Sequence, residues 1–506
     1  MLFNSYEFIF IFLPIVWVGF FSISHFKTKL AGIWLAIASL IFYGYWSKTY
    51  VLLLIASIAV NYMMGIFIAK SLATKNNSKT LLQIALFLNI ALLIYYKYAN
   101  FFIISINEAV GTYWVINNIV LPLGISFFTF TQIAFLVDTY QGKVKEYNFT
   151  HYLLFVTYFP HLIAGPVIHH KQMMPQFSLA STYKPSFENL FFGFSFFSIG
   201  LAKKVLLADN LATYASPIFS ASNVGVDVQF FGAWVGALAF TFQLYFDFSG
   251  YSDMAIGISR MFGVTLPINF NSPYRSKNII EFWRRWHISL STFLRDYLYI
   301  PLGGNRNGSI NRYFNLMVTM LLGGLWHGAN WTFLLWGAIH GVYLCLNYYW
   351  KYILGNAYIF NNKVISFFGI VTTFISVVFA WVFFRSESVS TSLIMIKGLI
   401  GINGVSLPLS LNYTAPYLKG LPFNIEYSGL FNGLNIPLDL TRLIFVFGIS
   451  FIVVWGFPNS QKLLMTSQIE KYSKINRIAF TSFMGSLFAV SILSFKHVSE
   501  FLYFQF

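Results

Sequence analysis

The sequence is poor in cysteine and in charged residues. Its single cysteine, Cys345, excludes an intramolecular disulfide, and its apolar neighbours make a cysteine nucleophile improbable. Charged residues make up only 9% of the 506 residues, against 57% hydrophobic residues. This is too little polar surface for a soluble globular protein, so the composition predicts an all-α polytopic membrane protein.

Several catalytic and ligand-binding motifs are also missing. The chain has no His-Glu-x-x-His or Cys-x-x-Cys spacing, so it gives no support for a metal site. It has no Gly-x-Ser-x-Gly elbow and no Gly-x-x-x-x-Gly-Lys loop, which argues against a serine hydrolase and against a P-loop ATPase. The chemistry must therefore rest on other residues.

Long apolar stretches recur along the whole chain. Together they predict about 12 transmembrane helices, several of them short enough to need a thinned bilayer. The interrupted segment Phe149 to Pro175, with prolines at 160 and 166, is a candidate re-entrant segment, because broken backbone at membrane depth must be buried in protein or line a cavity. We expect one membrane domain over 1–506, with scaffold helices over 1–140, a catalytic core over about 150–350, and C-terminal helices with an external loop over 364–506.

Acidic residues are half as many as basic ones, which gives a formal net charge of +16. The cations lie in loops between apolar stretches, so they indicate membrane orientation rather than nucleic-acid binding. Their distribution predicts that both termini lie outside the cell. Counting spans from the basic segment Arg260 to Arg312, which we place inside, puts Trp326 to Asn330 near the outer end. His287 and His327 should then lie on opposite sides of the protein.

His327 is the strongest candidate catalytic residue. It interrupts an apolar run in Leu-Trp-His-Gly-Ala-Asn-Trp, where a titratable ring is costly without a function or a partner. Neighbouring glycines permit close backbone approach, Trp326 can wall the ring, and Asn330 can orient a ring nitrogen. Asn330 or Trp326 could also stabilise an oxyanion. A neutral imidazole can act as a general base near pH 7. The competing reading is a structural histidine that ties two helices together.

A second group of candidates surrounds His287. The pattern over Ile279 to Ile300 predicts an amphipathic helix at the inner interface, on which Arg284 and Arg285 could hold an anionic donor, with Glu281 available to pair Arg285. The competing interpretation is a basic helix that meets anionic lipid. Upstream, Asp247 and Asp253 are unusual in an apolar region, and Tyr245 is a further candidate to bind substrate. Asp247 could orient a histidine or a substrate hydroxyl, or it could be satisfied structurally.

These motifs resemble the membrane-bound O-acyltransferase family, in its bacterial branch that O-acetylates alginate and peptidoglycan. The resemblance is carried by the segments Phe159 to Pro166, Gln243 to Met254, Asn269 to Asn305, Gly323 to Gly341 and the ending Phe501 to Phe506. It implies two funnels that meet at a thin waist, with a histidine near each side. By position, His327 matches the family's catalytic histidine and His287 its second signature residue.

The resemblance also implies the reaction and its participants. The expected activity is O-acetyl transfer from a cytoplasmic thioester, such as acetyl-CoA, towards an extracytoplasmic polysaccharide, with no bound cofactor. The chain is expected to lie in the bacterial inner membrane, and its expected partner is a periplasmic SGNH-type transferase. The alternatives are a D-alanyl, lipid or protein acyltransferase of the same family, a polysaccharide-precursor transporter with histidine proton relays, or a non-enzymatic scaffold.

Overall fold

The chain is almost entirely helical. The computed structural model describes residues 1–506 except 76, 116–118, 164, 307, 355–361, 419–423, 428, 430, 432–433, 435–439, 465–473, 496–498 and 503–506. The end of the predicted C-terminal motif, 503–506, thus lies outside the described residues. In the described chain the only strands are Val405–Ser406 and Ile425–Glu426, which pair in parallel.

Helix lengths and composition agree with a polytopic membrane protein. Five described helices are long and apolar enough to cross a membrane: Glu7–Ser24, Lys48–Ala73, Ser78–Val110, Phe187–Asn223 and Lys363–Arg385. Four shorter apolar helices accompany them, namely Thr28–Gly44, Val389–Leu399, Leu440–Gly456 and Ile478–Leu493. The predicted fold class is confirmed, whereas the count of about 12 spans stays a prediction.

The fold separates into two compact units. Unit 1 comprises Met1–Ala202, Gly250–Asn269 and Ser460–Phe506, and unit 2 comprises Lys203–Ser249 and Phe270–Asn459. The helix Phe230–Met261 contributes residues to both. The scaffold, core and C-terminal regions predicted from the sequence are instead continuous stretches of the chain. This division stays a prediction.

Unit 1 packs its helices closely through glycines. A Cβ atom built on Gly257 would lie 2.5 Å from the carbonyl oxygen of Gly193, and one on Gly200 would lie 2.5 Å from that of Gly250. Small residues at these two crossings let the backbones touch, as in membrane helix pairs. The other helices of the unit are Ile125–Tyr140, Phe149–Thr157, Phe159–Leu162, His170–Met173, Met174–Ser178, Ala180–Tyr183, Ser460–Leu463 and Lys474–Leu493.

The predicted interruption between Phe149 and Pro175 is confirmed. The helix Phe149–Thr157 ends one residue before the four-residue helix Phe159–Leu162, and regular structure returns only at His170. The freed amide of Phe159 donates to Ser39 Oγ at 3.1 Å, so a neighbouring side chain satisfies the broken backbone.

Unit 2 carries all the candidate site residues. Its helices, after Lys203–Ala208 and Asp209–Asn223, are Pro273–Arg275, Ile279–Trp283, Ile288–Leu294, Arg295–Tyr299, Gly308–His327, Trp331–Leu354, Lys363–Arg385, Val389–Leu399, Leu409–Thr414, Ala415–Leu418, Leu440–Phe451 and Ile452–Gly456.

The continuous amphipathic helix predicted over Ile279 to Ile300 is wrong. The segment forms the short helices Ile279–Trp283 and Ile288–Leu294, followed by one π-helical turn, Arg295–Tyr299. The break falls at His287, whose φ of 43° is left-handed, and the carbonyl of Arg285 leaves the helix to accept from the amide of Asn271 at 2.9 Å. Amphipathic spacing alone could not indicate this break.

Candidate active site

His327 ends the first helix of a tight hairpin formed by Gly308–His327 and Trp331–Leu354. A Cβ atom on Gly324 would lie 2.3 Å from the carbonyl oxygen of Phe333, and one on Gly328 would lie 2.1 Å from the Phe333 ring. No larger residue fits at either position without moving the backbone or the ring. The predicted close approach around His327 is therefore confirmed, and it fixes where the imidazole lies.

Aromatic rings enclose His327. Its ring centroid lies 4.9 Å from that of Trp326, 5.1 Å from that of Trp336 and 5.1 Å from that of Phe384. The residue is 6% exposed, so it is buried but keeps some accessible surface. We call the rings of Trp326, Trp336 and Phe384, together with the imidazoles of His327 and His287, the aromatic box. Such walls hold the imidazole in one orientation and lower the local dielectric constant, which strengthens polar interactions made within the box.

His287 lies in the left-handed break between two short helices and is fully buried. Its ring packs edge-on against Phe248, with centroids 4.8 Å apart. A non-glycine residue in this conformation costs about 1–2 kcal/mol, and such strain clusters at functional sites. Because burial removes water from the ring, the pKa of His287 falls to about 3, which keeps the imidazole neutral at pH 7.

The two histidines are neighbours. Their ring centroids lie 6.4 Å apart, and Trp326 contacts both rings, at 6.0 Å from His287 and 4.9 Å from His327. The prediction that they lie on opposite sides of the protein is thus wrong. That prediction assumed a continuous helix at the membrane interface, whereas the break at His287 places its ring in the aromatic box. One site can therefore use both rings.

The strained backbone of His287 gives a prediction. Asparagine tolerates positive φ better than alanine and keeps a polar side chain, so we expect His287→Asn to retain several-fold more activity than His287→Ala. The measurement is the rate of the catalysed reaction per unit of folded protein. Equal loss in the two variants would contradict a backbone contribution and assign the whole effect to the imidazole.

Asn330 does not take the predicted place beside His327. Its Oδ1 accepts from the amide of Thr332 at 3.0 Å, and its Nδ2 donates to the carbonyl of Glu387 at 2.9 Å. The side chain thus caps the helix Trp331–Leu354 and ties it to the segment after the helix Lys363–Arg385. Its hydrogen-bonding groups are already used, so it is a poor candidate for the oxyanion donor.

The two arginines predicted to bind the donor separate. Arg285 Nη2 lies 2.7 Å from Glu281 Oε1, as the i, i+4 spacing predicts, and its Nη1 donates to the carbonyl of Asn271, so both of these nitrogens are already engaged. Arg284 is exposed and lines a cavity of about 390 Å³ in unit 2. Arg295 lines the same cavity, and sequence reasoning missed it as a ligand for anions.

The cavity and the aromatic box share a wall. Trp283 lines the cavity, and its ring lies 5.8 Å from Trp336, which in turn packs on His327. Ser291 and Thr292 add hydroxyl groups to the lining. The lining combines two exposed arginines, two hydroxyl groups and an aromatic wall. It suits a molecule with an anionic end and a less polar reactive end.

Asp247 and Tyr245 lie on the helix Phe230–Met261. Asp247 Oδ1 lies 2.7 Å from Lys204 Nζ, and both side chains are at most 3% exposed. The ammonium also lies 3.0 Å from Asp209 Oδ1. This network favours the structural alternative for Asp247. Tyr245 is buried, with its ring 6.4 Å from that of Trp286.

Sequence reasoning did not assign Trp336 to the site, although its ring contacts two histidines. Trp336 lies between His327 and His340, with ring centroids 5.1 and 4.8 Å away, and stacks on Trp381 at 5.6 Å. His340 is fully buried, and neither ring nitrogen has a hydrogen-bond partner among the described residues. The spacing of Trp336 and His340, one helical turn apart, was the available signal.

Comparison with known proteins identifies the family of the chain. The family model of the membrane-bound O-acyltransferases, MBOAT, matches residues 39–396. The chain is a membrane-bound O-acyltransferase. As a member of this family it is an acyltransferase and a multi-pass membrane protein.

Named relatives of this membrane-bound O-acyltransferase include three enzymes. A peptidoglycan O-acetyltransferase of Helicobacter pylori is 38% identical and covers 100% of the chain and 98% of its own length. A probable alginate O-acetylase, AlgI, of Pseudomonas aeruginosa is 43% identical over 78% of the chain and 73% of its own length. A teichoic acid D-alanyltransferase of Bacillus subtilis is 30% identical over 54% of the chain and 70% of its own length.

Proposed function

We propose that this membrane-bound O-acyltransferase moves an acetyl group from a cytoplasmic thioester donor towards the O-acetylation of an extracytoplasmic polysaccharide. The observation that carries the proposal is the pair of buried imidazoles, 6.4 Å apart, inside an aromatic box beside a cation-lined cavity. The names of the Helicobacter pylori and Pseudomonas aeruginosa relatives support acetate as the acyl group and a polysaccharide as the acceptor. The test is ester-linked acetate on purified wall and secreted glycan, from cells with and without the protein.

In the proposed reaction His327 is the general base. Its neutral imidazole takes the proton of an acceptor hydroxyl as the oxygen attacks the thioester carbonyl carbon. The carbon–sulfur bond of the resulting tetrahedral intermediate breaks, and the leaving thiolate takes the proton back from the imidazolium. The products are an ester and a free thiol, and no acyl-enzyme is needed.

His287 and Trp326 are placed to assist this step. The buried His287 ring is neutral, so a protonated ring nitrogen can donate to the developing oxyanion without a charge of its own. The indole N–H of Trp326, whose ring contacts both histidines, is a second candidate donor. Sequence reasoning gave the role of oxyanion donor to Asn330 or Trp326; we keep Trp326 and propose His287 in place of Asn330.

The cavity lined by Arg284 and Arg295 is the proposed donor site. Arginine forms strong, often bidentate hydrogen bonds to phosphate, and the cavity volume of about 390 Å³ lies within the usual range for small-molecule sites. Arg295 Nε also donates to Asp296 Oδ1 at 2.7 Å, and this hydrogen bond raises the pKa of Arg295. The arginine therefore stays charged and is held in place for an anionic donor.

This assignment predicts a donor-specific defect. In Arg284→Gln and Arg295→Gln we expect the KM for acetyl-CoA to rise about tenfold, with a small change in kcat, because a charge-assisted hydrogen bond of about 1.5 kcal/mol is lost. Initial rates in proteoliposomes, at varied acetyl-CoA concentration, measure the effect. Arg260→Gln is the matched control, since Arg260 does not line the cavity. An equal rise in KM in all three variants would contradict the assignment.

The proposal includes an orientation and a partner. Both termini are placed outside the inner membrane, so that the segment from Arg260 to Arg312 faces the cytoplasm. A periplasmic SGNH-type transferase is the proposed partner for the final transfer to the glycan. Cysteines introduced singly at the exposed positions Lys48 and Lys143 distinguish the orientations, because only Lys48 is predicted to lie outside and should react with a membrane-impermeant thiol reagent in intact spheroplasts.

D-alanyl transfer to teichoic acid is the second candidate function. The name of the Bacillus subtilis relative favours it, but the similarity covers 54% of the chain. It predicts ester-linked D-alanine in place of acetate on the wall. Hydrolysis of purified wall under mild base, followed by separate assay of the two acids, distinguishes the candidates.

A further inference from the structure

A slot in unit 2 lies outside the proposed active site. It runs between the helices Trp331–Leu354 and Lys363–Arg385, and the segment Lys277 to Ile279 forms its floor. The slot has a volume of about 480 Å³, within the range of small-molecule sites. None of the histidines of the aromatic box lines it.

The rim of the slot is apolar and opens to the bilayer. Leu346, Trp350 and Phe368 line it and are 58%, 56% and 62% exposed. They project from a candidate membrane span and from the helix beside it, so the surface they expose faces lipid. Aromatic and aliphatic side chains at such a position contact acyl chains, and tryptophan favours the level of the head groups.

The floor of the slot carries a positive charge. A Cβ atom on Gly369 would lie 2.6 Å from the carbonyl oxygen of Lys277, so the backbone of Lys277 lies directly against the helix. Gly369 follows Lys363, the first helical residue, by six positions, which is about 9 Å along the axis. In the described part of the chain no carboxylate forms an ion pair with the Lys277 ammonium. Glu281 pairs with Arg285, and its second carboxylate oxygen accepts from the backbone amide of Lys277 at 2.8 Å. An anionic lipid head group can neutralise such a lysine.

A hydrogen-bond acceptor lies in the same slot. Asn347 Oδ1 is buried and has no hydrogen-bond partner among the described residues. A phosphodiester has no proton to donate to it, whereas a head-group hydroxyl has. The lining thus combines an apolar rim, one cation and one acceptor.

We propose that the slot binds one anionic glycerophospholipid with a hydroxyl-bearing head group. Its phosphate contacts Lys277, its head-group hydroxyl donates to Asn347, and one acyl chain lies along the rim. Lys363 begins the adjoining helix, and the proposed orientation puts this end on the cytoplasmic side, so the lipid comes from the inner leaflet. The binding itself does not depend on the acyltransferase reaction.

Native mass spectrometry of the detergent-solubilised full chain tests the proposal. The protein is titrated with phosphatidylglycerol or with zwitterionic phosphatidylethanolamine of the same chain length. We expect wild-type protein to retain one phosphatidylglycerol at least several-fold more readily than phosphatidylethanolamine. Lys277→Gln should weaken retention of phosphatidylglycerol about tenfold, because a charge-assisted contact is lost.

Lys363→Gln is the matched control, because it removes the same charge from an exposed position that does not line the slot. It should leave retention unchanged. Ser376→Leu, which places apolar bulk in the slot, should weaken both lipids and provides a second measurement if Lys277→Gln fails to fold. Equal retention of the two lipids, equal losses in the two lysine variants, or unchanged binding in Ser376→Leu would each overturn the proposal.

Discussion

In cells that carry His327→Ala as their only copy, we expect ester-linked acetate on wall and secreted glycan to fall to the level of cells without the protein. A positioned general base contributes about a 10²–10⁴-fold rate enhancement, and the other imidazole of the site, His287, is assigned to the oxyanion and not to the acceptor hydroxyl. The measurement is acetate released by mild base from each purified fraction, normalised to protein abundance.

A histidine outside the box provides the control. His25 is exposed and lies between two helices of unit 1, so His25→Ala should leave acetate unchanged. The variant His327→Ala must be present at normal abundance for the comparison to count. Wild-type acetate in both fractions at normal abundance would show that His327 is only a structural histidine.

Loss of Lys204 should have the largest effect on folding. The variant Lys204→Met leaves the carboxylate of Asp247, which is 2% exposed, without the ammonium 2.7 Å away. Removing one partner of a buried ion pair typically costs about 3–5 kcal/mol. We expect a several-fold fall in abundance and a lower melting temperature, measured on membranes and on the purified protein.

The double variant Lys204→Met with Asp247→Leu separates folding from catalysis. Replacing a buried ion pair by apolar side chains is often neutral, so abundance should recover in the double variant. Acetyl transfer per folded molecule should then match wild type, because the network places Asp247 in a structural role. A stable but inactive double variant would instead support the original sequence prediction that Asp247 contacts substrate.

The sequence was most informative where one property repeats over many residues. Apolar stretches predicted the helical membrane fold, and the glycines at 324 and 328 predicted the close approach that holds His327. The relation of the two histidines could not be predicted in this way. It depends on the left-handed backbone conformation of His287, which a pattern of helical spacing does not predict.

Polar residues were the least predictable part of the site. Asn330, Arg285 and Asp247 all looked available to a substrate, but each is used by a nearby backbone group or charge. Buried polar groups need partners, and local partners form at little entropic cost. Arg295, Trp336 and Phe384 were missed because only the packing of the helices brings them to the site.

The central claim is that His327 is the base that moves a thioester-bound acyl group onto a hydroxyl. The most direct measurement is the rate of thioester cleavage by purified protein in proteoliposomes, with radiolabelled acetyl-CoA and an acceptor glycan. We predict that His327→Ala lowers this rate at least about 10²-fold, and that denatured wild-type protein carries no label. Wild-type rates in the variant, or label bound to the protein and passed on to the acceptor, would contradict the account.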